Sequence, residues 1–403
     1  MMNWKQIKYL LIAILLGIFL VACSSDTGSS DDQTSDQTDS SQKTDETNDE
    51  SVSESSGGGV LNFAFNRQPP SLDPHTTTDV GTRDIAQHVF EALVTMNQSL
   101  EVEPMLAESY EVLDGGKKVV FHLRQGIKFH NGKEMTAEDV IASLERWQSL
   151  SSQAQTYHGN TTFEAEDDYT VVAHVPDPTT MDMYIFADMT QFAAIMPKEI
   201  VEGQGPEPVS EYIGTGPYKF SEFRQDQYVH LVKYEDFQSR TEPANALAGE
   251  KLAHMDEIYF HFVTDAATLV TGLQSGEYHI ANAIPQDVAE QLSGNEEIEL
   301  YISANSFPAV IFNKKARAFK DQKVREAANA AINVDDMLIA AYSNEEFYVR
   351  DHALVSPEQT GWYSEEGADV YNTYDPELAK QLLEESSYNG EQVVILTARE
   401  NMD

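Results

Sequence analysis

Hydrophobic and polar positions fall into short blocks whose period changes along the chain. Residues 60–65 read as a strand and are followed by a proline-rich turn at Pro69, Pro70 and Pro74. Ile85, Val89, Ala92 and Leu93 then share one face at helical spacing, which predicts a helix through residue 93. Residues 119–123 alternate as a strand, and Asn131-Gly132 marks a turn. The sharpest boundary comes next: Thr136 with Asp139 three residues on forms a capping box, and Met135 and Val140 occupy the two positions of a hydrophobic staple. Val140, Leu144 and Trp147 line the face of the helix that follows. Further on, residues 266–274 read as a helix stopped by Gly276, residues 278–281 return to strand, and Asp321 opens a helix reaching Ala331. Asp375-Pro376 opens another with Leu378, Leu382 and Leu383 on one side, and residues 393–396 read as a buried strand. No fixed repeat connects these blocks. The pattern therefore predicts an α/β or α+β chain with more than one lobe.

The first 59 residues follow none of these periods. Lys5 and Lys8 precede an uncharged, Leu/Ile-rich run at residues 9–22 that ends at Cys23. As a helix this run spans about 21 Å, short of the roughly 30 Å hydrocarbon core, so it reads as a secretory signal and not a permanent span. Leu20, Val21 and Ala22 before Cys23 resemble the lipobox of bacterial lipoproteins, whose cysteine is acylated and becomes the mature N-terminus. That resemblance implies a signal peptide at 1–22, a lipidation site at Cys23 and a membrane anchor of two chains or more. Residues 24–59 hold ten acidic residues, one lysine and mostly Ser, Thr, Gln, Asn and Gly, a composition that cannot bury a core. Residues 23–59 thus read as a lipidated cysteine and a disordered acidic tether holding a globular part off the membrane.

Charge and chemistry narrow the picture further. The 403 residues carry 26 Lys+Arg against 67 Asp+Glu, a net charge of −41, which repels polyanions and excludes nucleic acid as a partner. A content of 41% hydrophobic residues excludes global disorder, and a single cysteine excludes an internal disulfide framework or a Cys-rich metal site. The eleven histidines form no H-E-x-x-H or H-x-H pattern, and His122 and His130 read as strand residues flanking a turn, so neither a metal nor another cofactor is expected. Ser275 sits one place late for a nucleophile elbow, and Ser40-x-x-Lys43 falls in the tether. Gly214-Thr215-Gly216-Pro217 begins like a phosphate loop, but a strand-like run replaces the required helix. No catalytic residue can be named, and a binding protein is the stronger reading than an enzyme.

Several segments, in order, resemble the extracellular solute-binding proteins of family 5, the peptide-binding type that serves ABC importers. They are Ser71-Leu-Asp-Pro74; Tyr110-Glu-Val-Leu-Asp-Gly-Gly116; the run from Val120 to Lys133; Met135-Thr-Ala-Glu-Asp-Val140 with Leu144-Glu-Arg146; Gly214-Thr-Gly-Pro-Tyr-Lys-Phe220; Leu273-Gln-Ser-Gly-Glu-Tyr278; Phe312-Asn-Lys-Lys315 with Val324-Arg-Glu-Ala327; and the run from Tyr374 to Leu383. An Asn-Pro-x-Tyr-Trp motif usual in the family is degraded here to Tyr234-Glu-Asp-Phe237.

The resemblance implies a two-lobed periplasmic-binding-protein-like α/β fold of type II with an extra subdomain in lobe I. Lobe I would span 60–304 and a partial lobe II 305–403, with well over a hundred further residues in other members, so lobe II is expected to be incomplete. Ligand would lie between the lobes, closed on by a hinge. The resemblance puts Thr76, Thr77, Thr78 and Asp79 on a loop facing that cleft, Asn305, Ser306 and Phe307 at the crossing between lobes, and Arg399 where a guanidinium fork would hold a peptide carboxylate. It implies a peptide ligand, an ABC permease with its ATPase subunits as partners, and an extracytoplasmic location on the membrane surface. Other readings are the same fold binding a nickel chelate, a sugar or an opine, an extracellular hydrolase, and a fragment that binds nothing.

Overall fold

A computed structural model of the chain describes residues 58–302, 309–357, 359 and 361–396. Within these bounds the strands are β1 (Val60–Phe65), β2 (Val94–Met96), β3 (Val102–Pro104), β4 (Ala107–Leu113), β5 (Lys118–Leu123), β6 (Thr162–Asp167), β7 (Thr170–His174), β8 (Tyr218–Arg224), β9 (Tyr228–Lys233), β10 (Glu257–Phe262) and β11 (Ile280–Ala281). The helices are α1 (Val80–Ala86), α2 (Ala137–Leu150), α3 (Ser152–His158), α4 (Asp182–Ala187), α5 (Lys198–Val201), α6 (Ala266–Ser275), α7 (Gln286–Leu292), α8 (Gln322–Ala331), α9 (Val334–Tyr342) and α10 (Pro376–Glu384). The signal at 1–22, the tether through residue 57, and with them Cys23, lie outside the described residues, as do Asn305, Ser306, Phe307 and Arg399.

Two larger sheets organise residues 58–302, and β2 and β3 pair antiparallel in a small third one. The first has the order β11-β1-β10-β9-β8; β1 runs parallel to both β10 and β11, and β10-β9-β8 is antiparallel. Alternation in β1 sends Phe63 and Phe65 to one face, where they meet Phe260 at ring-centroid distances of 5.4 and 6.0 Å. Helix α6 links β10 to β11, passing over β1, as a parallel crossover requires. It stops at Gly276, whose φ of +77° only glycine adopts without strain.

The second sheet, β4-β5-β7-β6, is antiparallel and carries α2 on its apolar face. Met135, Val140, Leu144 and Trp147 all enter that core, so the staple and the apolar stripe form as the sequence predicts. The capping box is carried by Asp139, whose Oδ2 accepts the Thr136 N–H at 3.0 Å and the Thr136 hydroxyl at 3.2 Å. Ser143 fastens α2 to the other core: its hydroxyl donates to the Met196 carbonyl and accepts the Met196 N–H.

In residues 309–396, α8 and α10 pack together through Val324, Ala327, Ala330 and Ala379. Asp321 caps α8 and Asp375 caps α10, both as expected. Tyr184 of α4 meets Trp362 edge-on, with ring centroids 4.9 Å apart.

Three expectations need correction. Helix α1 ends at Ala86 and does not run to residue 93, although Ile85, Val89, Ala92 and Leu93 are all buried. The carbonyls of His88 and Val89, which a continuing helix would use itself, accept the N–H groups of Tyr218 and Gly216. Only residues 280 and 281 of the 278–281 run pair as a strand, because the Tyr278 N–H turns back to the Gly272 carbonyl. Residues 393–396 are not a buried strand: their exposure rises from 45% at Val393 to 92% at Leu396, and no described strand pairs with them.

Candidate ligand-binding edge

In open sheets with parallel strands, ligands bind in the crevice beyond the carboxyl ends of those strands. Here β10, β1 and β11 all point the same way, and the segments leaving them gather at one edge. The Asn66 N–H donates to Asn282 Oδ1 at 2.9 Å, tying the exit of β1 to that of β11, and the Val263 N–H donates to the Phe65 carbonyl, tying in β10. Arg67 stands at this edge half exposed, its Nη1 3.9 Å from Asp79 Oδ2, a loose pair in which the guanidinium keeps most of its donors for another acceptor.

The loop of Thr76, Thr77, Thr78 and Asp79 leads from this edge into α1. Most of its polar atoms are spent on its own shape. The Thr76 hydroxyl donates to the Asp73 carbonyl, Thr77 Oγ1 accepts the Asp79 N–H, and Asp79 Oδ1 accepts the Thr82 N–H at 2.8 Å as the cap of α1. Thr78 and Asp79 Oδ2 are what the loop presents outward, Thr78 being exposed. The structure brings these four residues together beside Arg67.

Behind the edge lies a buried clamp. Asp73 accepts both arms of the Arg146 guanidinium, at 3.2 Å on Oδ1 and 2.7 Å on Oδ2, and both side chains are almost wholly inaccessible to solvent. The Val209 N–H and the His75 N–H complete the carboxylate's shell. Burial pushes the Asp73 carboxyl upward, but the Arg146 hydrogen bond and the surrounding charges outweigh it and hold the group below its ordinary value. The His75 ring lies beside the pair. Its Nε2–H donates to the Ala194 carbonyl at 2.9 Å, which leaves Nδ1 as the acceptor for Arg146 Nη1 at 3.1 Å. Burial lowers the His75 pKa to about 4, partly offset by Asp73, so the ring is neutral in neutral solution. Gln191 extends the network by donating to the His75 carbonyl while its own carbonyl accepts the Trp147 indole N–H.

Sequence reasoning did not single out this clamp, although both ends were in view. Asp73 belongs to the Ser71-Leu-Asp-Pro74 turn and Arg146 to the end of the capped helix, two segments that carry the family resemblance. The structure gives their shared presence a reason: they bond each other across 73 residues and fix the loop at the strand edge onto the second sheet's helix.

A second seam involves Gly214-Thr-Gly-Pro217. A Cβ at Gly214 would lie 2.1 Å from the Val89 carbonyl oxygen and one at Gly216 2.5 Å from the His88 carbonyl oxygen, so the backbones approach as only glycine permits. His130 lies against this loop, accepting the Gly214 N–H on Nδ1 and donating from Nε2 to the Gly216 carbonyl at 2.9 Å. It is a turn residue tying two backbones together, not merely the flank of a strand. Thr215 donates to the buried Glu91 carboxylate, whose other oxygen is 3.4 Å from Lys251 Nζ. These polar groups hold elements together. Among the described residues no group of three His, Cys, Asp or Glu side chains is arranged to hold a metal ion.

The oligopeptide-binding protein AppA of Bacillus subtilis is 26% identical over 391 residues, covering 94% of this chain and 65% of its own length. The glutathione-binding protein GsiB of Salmonella typhimurium is 28% identical over 329 residues, covering 79% and 59%. The chain thus spans less than two thirds of these relatives. Among solved structures, AppA with a bound nonapeptide superposes with a TM-score of 0.64 at 24% identity over 82% of this chain and 64% of that one. The binding protein AgaA of A. tumefaciens R10, in complex with agropinic acid, gives 0.63 at 25% over 81% and 64%. The model described as "Bacterial extracellular solute-binding proteins, family 5 Middle" matches residues 101–403. That match covers most of the chain, and the chain belongs to the bacterial extracellular solute-binding proteins of family 5, with their two-lobed α/β fold.

Proposed function

We propose that this chain is the peptide-capturing receptor of an ABC importer, tethered outside the cytoplasmic membrane by lipid on Cys23. The observation that carries the reading is the family match over residues 101–403, to which relatives bearing peptide-binding names add the ligand class. In this reading lobe I spans 60–304 and lobe II begins at 305, with the ligand between them. Thr78 and the outward oxygen of Asp79 face the ligand from lobe I, beside the loosely paired Arg67. Asn305, Ser306 and Phe307 lie at the hinge, and Arg399 offers a planar fork to a peptide carboxylate. Binding shifts the lobes toward a closed form that the permease and its ATPase subunits read, which needs a ligand with differential affinity for that form. The acidic tether, at −9 from ten acids and one lysine, keeps the receptor extended from an anionic membrane surface.

Native mass spectrometry of ligand retained through purification tests the proposal. Short peptides of mixed sequence are the expected cargo. Recovery of an opine or a metal chelate instead, the cargo of other proteins with this fold, would overturn the peptide assignment while leaving the receptor role intact. Catalytic turnover of peptides without retention would overturn both.

A further inference from the structure

We infer that Tyr184 and Trp362 form an aromatic latch between the lobes, an inference that rests on the lobe boundary of the proposed function, with the crossing at residues 305–307. The two rings come from opposite sides of that crossing and meet edge-on, with centroids 4.9 Å apart and planes at 78°. In this geometry the positive edge of one ring lies against the negative face of the other. The pair therefore has an attraction and a preferred orientation beyond the area it covers.

The lobe I half is built to hold still. Tyr184 stands on α4 beside Ile185, Phe186 and Ala187, all buried. Phe186 is stacked on His158 at 4.1 Å and lies against Phe121 and Trp147 at 5.5 and 5.9 Å, which pins the helix to the core of the second sheet. Asp182 closes the first turn by accepting the Thr179 N–H at 2.7 Å and the Thr179 hydroxyl at 2.8 Å. The lobe II half is of another kind. Between Ser343 and Asp375 the described residues form two short 3₁₀ turns, Glu345–Phe347 and Ala368–Val370, and none of them is buried. Trp362 is carried there by a turn in which its own N–H and that of Tyr363 donate to the Gln359 carbonyl at 2.8 and 3.0 Å, and the residue is still 40% exposed. A large ring on a segment without a core gains most from a partner on the other lobe.

The strength of one such pair suits a bias more than a lock. Beyond its buried area an edge-to-face contact shifts a two-state equilibrium by about two- to twelvefold. A ligand that prefers one arrangement of the lobes can overrule a bias of that size, and a ligand-free receptor still feels it. The latch would thus set how often the lobes meet, and the cleft residues what they hold.

Hydrogen exchange read by mass spectrometry on the full 403-residue chain, without ligand, tests the contact, and small-angle X-ray scattering on the same samples tests its effect on the lobes. Tyr184→Ala should speed exchange of the Trp362 and Tyr363 amides by about two- to twelvefold, while Tyr184→Phe, which keeps a ring edge, should stay within about twofold of wild type. Tyr184→Ala and Trp362→Ala should both enlarge the radius of gyration, and Trp362→Phe should not. Should Tyr184→Ala loosen α4 itself, Trp362→Ala, made on a segment outside the core, decides by scattering alone. Unchanged exchange at residues 362 and 363 in Tyr184→Ala would overturn the contact. Faster exchange with an unchanged radius in both alanine variants would make the pair local packing and overturn the latch. Neither measurement uses a ligand, so a failure of peptide capture would leave both results standing.

Discussion

Arg146→Met removes one half of the buried clamp and leaves the other half in place. Methionine fills much of the volume of the arginine stem, so the perturbation is mainly electrostatic. Asp73 would keep its contacts to the Val209 and His75 N–H groups but lose both guanidinium bonds, at 2.7 and 3.2 Å, in a site with no access to water. Stranding one charge of a buried pair costs about 3–5 kcal/mol, against 0–1 kcal/mol for an exposed pair. At roughly 2–4 °C per kcal/mol for a domain of this size, the melting temperature should fall by about 6–20 °C. The bond to the Glu207 carbonyl and the contact with His75 are lost too, which places the outcome toward the upper part of that range. The assay is urea and thermal unfolding by circular dichroism, run as a double-mutant cycle with Asp73→Asn. The neutral amide removes the stranded charge, so the double variant should recover part of what Arg146→Met loses, a coupling of about 2 kcal/mol. A loss below 1 kcal/mol, or simple additivity in the cycle, would refute the idea that this pair is a buried, mutually dependent clamp.

Further outcomes follow from the same geometry. Gly214→Ala should prevent a stable fold or lower the melting temperature by more than 10 °C, since the new methyl would lie 2.1 Å from a carbonyl oxygen; wild-type melting would count against the close approach. Asp139→Ala should cost about 2 kcal/mol or more, because the carboxylate accepts the Thr136 and Lys198 N–H groups and Lys133 Nζ, and a urea midpoint within error of wild type would contradict it. Because His75 is neutral when folded, with a pKa of about 4 against 6.5 unfolded, its contribution is complete above pH 6.5 and is lost as the pH falls toward 4, by about 3 kcal/mol; His75→Asn should flatten a pH–stability curve in that window, and an unchanged slope would exclude the ring as its source. Cys23→Ser should move the protein from the membrane fraction to the medium or leave it unprocessed, and continued lipid labelling would rule out the anchor.

What could be read from the sequence, and what could not, divides along a physical line. Features set by neighbours in sequence were legible. The box at Thr136 and Asp139, the staple of Met135 and Val140, the stop at Gly276 and the helix entries at Asp321 and Asp375 all depend on residues within one or two turns, and each forms. Expectations failed where a distant segment competes for the backbone. The apolar face of Ile85, Val89, Ala92 and Leu93 is real as burial but not as helix, because strand-like residues 216–218 take the carbonyls that a longer α1 would need. Residues 393–396 have a strand's composition, but a strand exists only with a partner, and among the described residues there is none.

The clamp shows the same division from the other side. Asp73 and Arg146 each looked like part of a local motif, a turn and a helix end, and nothing in the spacing of either announced a bond across 73 residues. Their pairing explains why a loop rich in hydroxyls and acids can stand at the carboxyl edge of a sheet without collapsing onto it. Thr76 and Asp79 shape the loop from within, while Asp73, three residues before Thr76, is bolted to a helix of the other core. In the proposed reading such an edge is preorganised, because most of its polar atoms are already bonded before ligand arrives, and Thr78, Asp79 Oδ2 and Arg67 are the groups on it that would exchange water for ligand. Rigidity at that edge and selectivity for ligand thus have separate origins in the chain. A substitution at Arg146 should change how often the edge exists, and a substitution at Arg67 what it holds.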